Sequence, residues 1–244
     1  MNLIEETAAW LTDPVNWSGA AGIPTRLAEH LLVSMSALAV AVAIALPIGL
    51  LIGHTKRGAS LAINVANIGR ALPTLAVITI VLPLTTMIDP QLGFKFYPTM
   101  IALIILGIPP VLVNTYVGVS GVDAELVESA KGTGMQEVQI LRRVEIPVAL
   151  PVIAGGIRSA ATQIVATATL GAIFGGGGLG RYLVEGIAQN DNGKIFGSVT
   201  LVAILCLTTE AVFALIQRRA TSPGLVPPKA GWNTRVQPAA HGTG

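Results

Sequence analysis

The stretch SGVDAELVESAKGTGMQEVQILRRVEI, residues 120–146, is a polar segment inside an otherwise apolar chain. Its first half places apolar and charged residues on opposite faces of a helix, and Asp123 is available as its N-cap. Two glycines predict a turn, after which Thr133 and Gln136 match a capping box that starts a second helix. Two patterned helices in one loop favour a docking surface, with a solvated connector as the alternative.

The composition of the whole chain identifies its solvent. Of 244 residues, 52% are hydrophobic and 11% are charged, and the mean hydropathy is +0.70. Soluble domains have about a quarter charged residues, so the composition predicts an integral membrane protein. A net charge of +2 indicates no nucleic-acid partner, and one cysteine, Cys206, excludes a disulfide framework. No sequence pattern predicts a metal site.

Apolar segments of about 20 residues can cross a hydrocarbon core of about 30 Å as helices. Five segments qualify: 31–53, 62–88, 98–119, 147–174 and 198–217. Pro73 interrupts the second segment, because proline lacks a backbone donor and disfavours helix at the residue before it. We therefore predict an all-α membrane protein with five transmembrane helices, or six if this segment spans twice, plus a cytoplasmic pair of short helices.

Lysine and arginine are distributed unevenly between these segments, and they accumulate on the cytoplasmic side of membrane proteins. If residues 120–146 are cytoplasmic, nine basic residues lie inside (Lys56, Arg57, Lys131, Arg142, Arg143, Arg218, Arg219, Lys229, Arg235) and four outside (Arg26, Lys95, Arg181, Lys194). This distribution predicts that segment 1–30 is extracytoplasmic. We also expect that this segment is not a cleavable signal peptide. Residues 31–219 form the transmembrane domain, and the Pro- and Gly-rich residues 220–244 a disordered cytoplasmic tail.

Three charges, Arg70, Arg158 and Glu210, fall within apolar segments, where each costs about 2.5–3.5 kcal/mol at a helix centre. We predict that Arg158 and Glu210 form a structural ion pair or reach the cytoplasmic interface, and a substrate contact is the alternative. Small or weakly polar residues also recur along one face of the fourth segment: Gly155, Ser159, Thr162, Ala166 and Thr169. This face predicts close helix packing, and lining of a translocation pathway is the alternative.

The polar segment resembles the signature cytoplasmic loop of permease subunits in bacterial ATP-binding-cassette importers. That signature has Glu-Ala-Ala, a glycine four residues after the second alanine, and a distal Ile-x-Leu-Pro. The matching residues are Glu128, Ser129, Ala130, Gly134, Val144, Ile146 and Pro147. Ser129, Val144 and Ile146 are conservative replacements. The resemblance implies that the two short helices are coupling helices, which dock on an ATPase subunit.

Other motifs extend the resemblance. Residues 70–74 resemble an element of the methionine-importer-like permease fold, whereas 157–159, 166–170 and 175–180 resemble the osmoprotectant branch, which moves glycine betaine, choline, carnitine or proline betaine. Taken with the face of small residues, the candidate pathway or gate residues are Arg70, Pro73, Arg158, Ser159, Thr162, Thr169, Gly177 and Gly178. The glycine run 175–180 is otherwise a flexible extracytoplasmic loop.

The resemblance also implies a bacterial inner-membrane protein with three kinds of partner: ATPase subunits, a second permease copy or paralogue, and an extracytoplasmic substrate-binding protein. The chain has no Gly-x-x-x-x-Gly-Lys-Ser/Thr loop, so ATP and magnesium are expected on the ATPase, and neither a cofactor nor a catalytic residue on this chain. Two alternatives are a permease for another small solute, such as methionine, and an ion-coupled secondary transporter. The latter would normally show internal repeats and paired broken helices.

Overall fold

A computed structural model describes residues 2–220, apart from the side chains of residues 59, 61, 62, 65 and 70. Every regular element in this range is helical. The predicted disordered tail lies, from residue 221 onward, outside the described residues. The all-α class predicted from composition is therefore confirmed for the described part of the chain.

The first half contains five helices. In chain order these are α1 (Leu3–Thr12), α2 (Ile23–Thr55), α3 (Ala59–Ala71), α4 (Thr74–Ile88) and the single turn α5 (Leu92–Lys95), with a 3-10 turn at Pro14–Trp17. Helix α1 begins at a capping box, in which Asn2 Oδ1 accepts from the Glu5 backbone N–H at 2.9 Å. Helix α2 begins eight residues before the first apolar segment.

The predicted break at Pro73 is confirmed. Helix α3 ends at Ala71, and Leu72 is extended with φ −74° and ψ 122°, the conformation expected before a proline. Three helices among the described residues are long and apolar enough to cross a membrane, namely Ile23–Thr55, Leu92–Ser120 and Asn192–Ala220. The shorter Thr74–Ile88 is also apolar. Five spans, with six as the alternative, therefore stays a prediction.

The second half runs through α6 (Tyr97–Ser120), α7 (Ala124–Gly132), the single turn α8 (Glu137–Ile140), α9 (Ile146–Thr167), α10 (Gly180–Gln189) and α11 (Asn192–Ala220). A π-helical turn, Leu141–Glu145, joins α8 to α9, and a 3-10 helix, Ala168–Phe174, follows α9. The polar segment 120–146 thus contains two short helices, as predicted.

The core forms where α6 packs between α2 and α9. Glycines permit this close approach: a Cβ at Gly49 would lie 2.6 Å from Thr115 Cβ, and one at Gly156 would lie 2.6 Å from Asn114 Cβ. Fully buried residues fill the layer between the helices: Ala37, Val111, Ala160 and Ile164. Because such packing holds the three helices at fixed separations, they form the frame on which the polar ends are positioned.

The N-terminal helix α1 packs on α11 and contacts α10. The Trp10 ring meets the Tyr182 ring edge to face, with centroids 5.1 Å apart, and it also covers Gly197 of α11. Trp17 is half exposed, and its indole N–H donates to the Leu11 carbonyl at 2.8 Å. The two tryptophans near the N-terminus therefore differ, since Trp10 packs between helices and Trp17 stays half exposed.

Candidate functional site

The first short helix of the polar segment, α7, begins as predicted. Asp123 Oδ1 accepts from the Glu125 backbone N–H at 2.9 Å, which satisfies one of the free donors at the start of the helix. After α7 the chain turns at Gly134, whose φ of +82° lies in the left-handed region that favours glycine. The signature glycine therefore has a backbone role in this turn.

The second short helix starts later than the sequence predicted. The predicted cap at Thr133 is wrong, because its hydroxyl donates back to the Ala130 carbonyl at 2.8 Å and closes α7. Instead the Gln136 backbone N–H donates to Gln139 Oε1 at 2.9 Å, and α8 begins at Glu137. The local sequence offered two competing caps, and the αL turn at Gly134 favoured the second.

Helix α8 continues into α9 without a gap, whereas the sequence suggested a fresh start at Pro147. In the π-helical turn the Ile146 backbone N–H donates to the Leu141 carbonyl, five residues back. Proline has no backbone donor and its ring crowds the carbonyl four residues earlier, so a widened turn before Pro147 is physically reasonable. The polar segment is thereby joined rigidly to the fourth apolar segment.

A polar cluster that the sequence analysis missed attaches this segment to α2. Glu145 is 5% exposed, and its carboxylate lies 2.6 Å from His54 Nδ1. His54 Nε2 lies 3.5 Å from Glu137, which also pairs with Lys131 at 3.0 Å. One chain of contacts therefore connects α2, the π-helical turn before α9, α8 and α7, and we call these four residues the His54 cluster.

The residues that match the importer signature divide between buried and exposed positions. Ala130 is 9% exposed, Val144 and Ile146 are partly buried, and Glu128, Ser129, Gly134 and Pro147 are exposed. Leu126 and Val138, one on each short helix, are also exposed, at 45% and 62%. Both apolar side chains are therefore accessible to a partner.

The intramembrane ion pair is confirmed. Arg158 Nε lies 3.1 Å from Glu210 Oε1, and Thr162 Oγ1 lies 3.0 Å from Glu210 Oε2, so α9 and α11 are joined here. The other candidates are apart from this pair: Ser159 accepts from Gln163 at 3.1 Å, and Thr169 donates to the Ala166 carbonyl at 2.9 Å. The fourth apolar segment thus has one linked polar group on α9, with Ser159 separate on α9 and Thr169 separate on the 3-10 helix that follows it.

Part of the face of small residues packs on α11, since a Cβ at Gly155 would lie 3.4 Å from Gln217 Nε2 and Thr162 donates to Glu210. The buried face of α9 contains Gly156, Ala160 and Ile164, one position away from the predicted face. The break between α3 and α4 exposes Pro73, and the side chain of Arg70 lies outside the described residues. A pathway role for these positions stays a prediction.

The glycine run is packed against α2. The Gly178 backbone N–H donates to Glu29 Oε2 at 2.8 Å, and Gly178 has a φ of +82°. A Cβ at Gly177 would lie 2.2 Å from the same carboxylate oxygen. Behind the loop, buried His30 lies 2.9 Å from the Val165 carbonyl. The sequence signal for these contacts was the presence of two polar residues, Glu29 and His30, next to the first apolar segment.

Helix α10, which follows the glycine run, adds a second charged group, formed by Glu185 with Arg181 and Lys194. Burial raises the pKa of the Glu185 carboxyl, but hydrogen bonds from Lys194 (2.8 Å) and Arg181 (2.7 Å) outweigh it and hold that pKa below its ordinary value. The Tyr182 hydroxyl donates to the Ala21 carbonyl, and burial raises its pKa to about 12. These contacts attach α10 to α11 and to the start of α2.

Most of the chain matches a known family of membrane transport proteins. A family model described as the binding-protein-dependent transport system inner membrane component matches residues 45–222, which include the whole polar segment. The chain belongs to this permease family. It is therefore a non-catalytic membrane subunit of an ATP-binding-cassette transporter, and the resemblance of the polar segment is confirmed at the level of the family.

Several characterised permeases are similar over most of the chain. The glycine betaine/carnitine/choline transport system permease protein OpuCB of Bacillus subtilis is 36% identical over 200 residues, covering 82% of this chain and 89% of that protein. The carnitine transport permease protein OpuCB of Listeria monocytogenes is 36% identical over 193 residues, covering 79% and 85%. The osmoprotectant import permease protein OsmW of Salmonella typhimurium is 30% identical over 197 residues, covering 81% and 91%.

The permease also has the fold of a solved importer. An inward-facing MetNI methionine transporter chain superposes with a TM-score of 0.73 at 22% sequence identity, covering 86% of this permease and all of that chain. At this identity the likeness shows the fold alone. It confirms the predicted architecture of a methionine-importer-like permease.

Proposed function

We propose that this permease subunit belongs to an ATP-driven importer of osmoprotectants such as glycine betaine, carnitine, choline or proline betaine. The observation that supports this most is the 36% identity to the Bacillus subtilis glycine betaine/carnitine/choline permease over most of both chains. In this proposal the importer lies in a bacterial inner membrane. The N-terminus is outside and the C-terminus is in the cytoplasm, as the distribution of basic residues favours.

In the proposed mechanism, residues 120–146 receive force from ATPase subunits. Exposed Leu126 and Val138 would enter an apolar groove on the ATPase, next to signature residues such as Glu128. The His54 cluster would hold α7 and α8 against α2, so that a push on the loop moves α9 as a unit. ATP and magnesium would bind to the ATPase, because this chain has no phosphate-binding loop.

The same proposal places the pathway between this subunit and a second permease copy or paralogue. Arg158, Thr162 and Ser159 would border it along α9, and Thr169 would border it from the 3-10 helix that follows. The break at Pro73 would border it from α3 and α4. An extracytoplasmic binding protein would deliver the solute near Gly177 and Gly178. Half-buried polar groups within the apolar segments support this, because facing lipid would be costly for them.

Two measurements on the complete transporter test the coupling role. In cells without other osmoprotectant importers, Glu128→Arg and Gly134→Asp should abolish ATP-driven uptake of labelled solute and weaken copurification of the ATPase. The matched control is Glu125→Arg, the same charge reversal one turn earlier on α7, which should have a smaller effect. If Glu128→Arg and Gly134→Asp leave uptake and copurification unchanged, the coupling role is wrong. If wild type takes up none of the four solutes, the substrate proposal is wrong.

A further inference from the structure

A cavity of about 550 Å³ opens beside the glycine run, on the face that the charge distribution places outside. Its walls come from the start of α2, from the residues around α5 and the start of α6, and from the glycine run. The residues that matter here are Arg26, Glu29, Lys95, Phe96, Gly177 and Arg181. The volume lies within the range of roughly 300–1,000 Å³ that is typical of small-ligand sites.

Cations predominate in this cavity. Three basic side chains line it with a single carboxylate, Glu29, which already accepts from Arg26 Nη1 at 2.9 Å and from the Gly178 backbone N–H at 2.8 Å. Arg26 Nε is buried without a hydrogen-bond partner among the described residues, and in the same range the Lys95 ammonium has no ion pair. Unpaired donors of this kind are stabilised by an anion that supplies acceptor oxygens.

A second, narrower space of about 60 Å³ adjoins this cavity. It shares Glu29, Lys95 and Phe96 as lining residues and reaches Thr99 and Gly171, between α2, α6 and the 3-10 helix after α9. A surface that only docks a protein needs no such space behind it. The position of Phe96 adds an aromatic wall, which suits a quaternary ammonium group.

We propose that this cavity is an outer binding site on the permease for a zwitterionic solute with a carboxylate and a quaternary ammonium group. The carboxylate lies between Lys95, Arg26 and Arg181, and the ammonium faces Phe96 and Glu29. The glycine run permits this arrangement, because a side chain at Gly177 would displace Glu29. The inference rests on the proposed function, and it names carboxylate-bearing solutes as those the site recognises.

The test uses the complete transporter reconstituted in liposomes with its binding protein and labelled glycine betaine, carnitine or choline. Lys95→Gln is the main variant, since Lys95 has no ion pair among the described residues and its loss should leave the fold intact. We expect maximal uptake of glycine betaine and carnitine to fall about tenfold, and that of choline, which has no carboxylate, to change less than twofold. The control is Lys194→Gln, which removes the same charge from the same end outside the cavity lining.

The concentration of binding protein that gives half-maximal uptake should be unchanged in Lys95→Gln. If that concentration rises and all solutes are affected equally, the cavity accepts an acidic side chain of the binding protein and the proposal is overturned. It is also overturned if uptake of every solute is unchanged, or if wild type carries choline but neither carboxylate-bearing solute. Failure of the proposed function is separate, since wild type would then carry none of the three.

Discussion

The contact between His54 and Glu145 provides the sharpest test of how the coupling loop is held. Replacing His54 by alanine removes the 2.6 Å contact of a carboxylate that is only 5% exposed. A hydrogen bond to a charged group contributes about 1.5–3 kcal/mol, and leaving a buried charge unpaired costs about 3–5 kcal/mol. A half-open cavity of about 280 Å³ adjoins both residues and admits water, so we expect the lower range, about 1.5–3 kcal/mol.

A loss of that size changes the equilibrium between a held and a released coupling loop by about tenfold or more, because 1.4 kcal/mol corresponds to a factor of ten. His54→Ala should therefore lower the midpoint of thermal unfolding of the purified complex. In proteoliposomes it should also raise the number of ATP molecules hydrolysed per solute imported. His54→Gln, which retains a hydrogen-bonding side chain, should restore part of both properties.

The matched control is Thr55→Ala, at the next position, where the exposed hydroxyl donates to the Leu51 carbonyl at 2.7 Å and accepts from the Arg57 backbone N–H at 3.4 Å. This variant should resemble wild type in both assays. The reasoning is refuted if His54→Ala has wild-type unfolding and a wild-type ATP-to-solute ratio, or if Thr55→Ala is equally impaired.

Three further perturbations test other parts of the molecule. Arg158→Met or Glu210→Gln alone should destabilise the complex by up to about 2.5–3.5 kcal/mol, because each leaves a charge unpaired among apolar helices. In thermal unfolding, the double variant should recover part of that lost stability. Equal losses of stability in all three variants would argue against the pair. Gly177→Ala should lower the midpoint of thermal unfolding, since the added Cβ would overlap a carboxylate oxygen of Glu29. Gly132→Ala should leave the midpoint unchanged, because nothing lies within 4 Å of a Cβ at that position. Similar midpoints for the two variants would contradict the packed glycine run. The pKa of the Tyr182 hydroxyl is raised from 10 to about 12, so its contribution to stability is complete below pH 10 and is lost as the pH rises toward 12. Tyr182→Phe should remove this part of the loss of stability at alkaline pH. A stability profile at alkaline pH that does not change in Tyr182→Phe would count against this role of Tyr182.

Features that depend on neighbouring residues could be predicted from sequence. The helix break follows from the effect of Pro73 on the residue before it, and the start of α7 follows from the Asp123 side chain. The pairing of Arg158 with Glu210 was also predictable, because two opposite charges in apolar segments have few other partners. The wrong cap at Thr133 shows the limit of local patterns, since two caps were available within four residues and the backbone turn selected one.

The sequence by itself determined the solvent, the helical class, the approximate apolar segments and the family-specific polar loop. Each depends on composition or on residues within a few positions of one another. The tertiary structure alone decided that His54 meets Glu145, 91 positions away, and that Glu29 meets Gly178, 149 positions away. Such pairs depend on the separation and rotation of whole helices, which the glycine contacts between α2, α6 and α9 set. The attachment of the coupling loop and the outer cavity both follow from that packing.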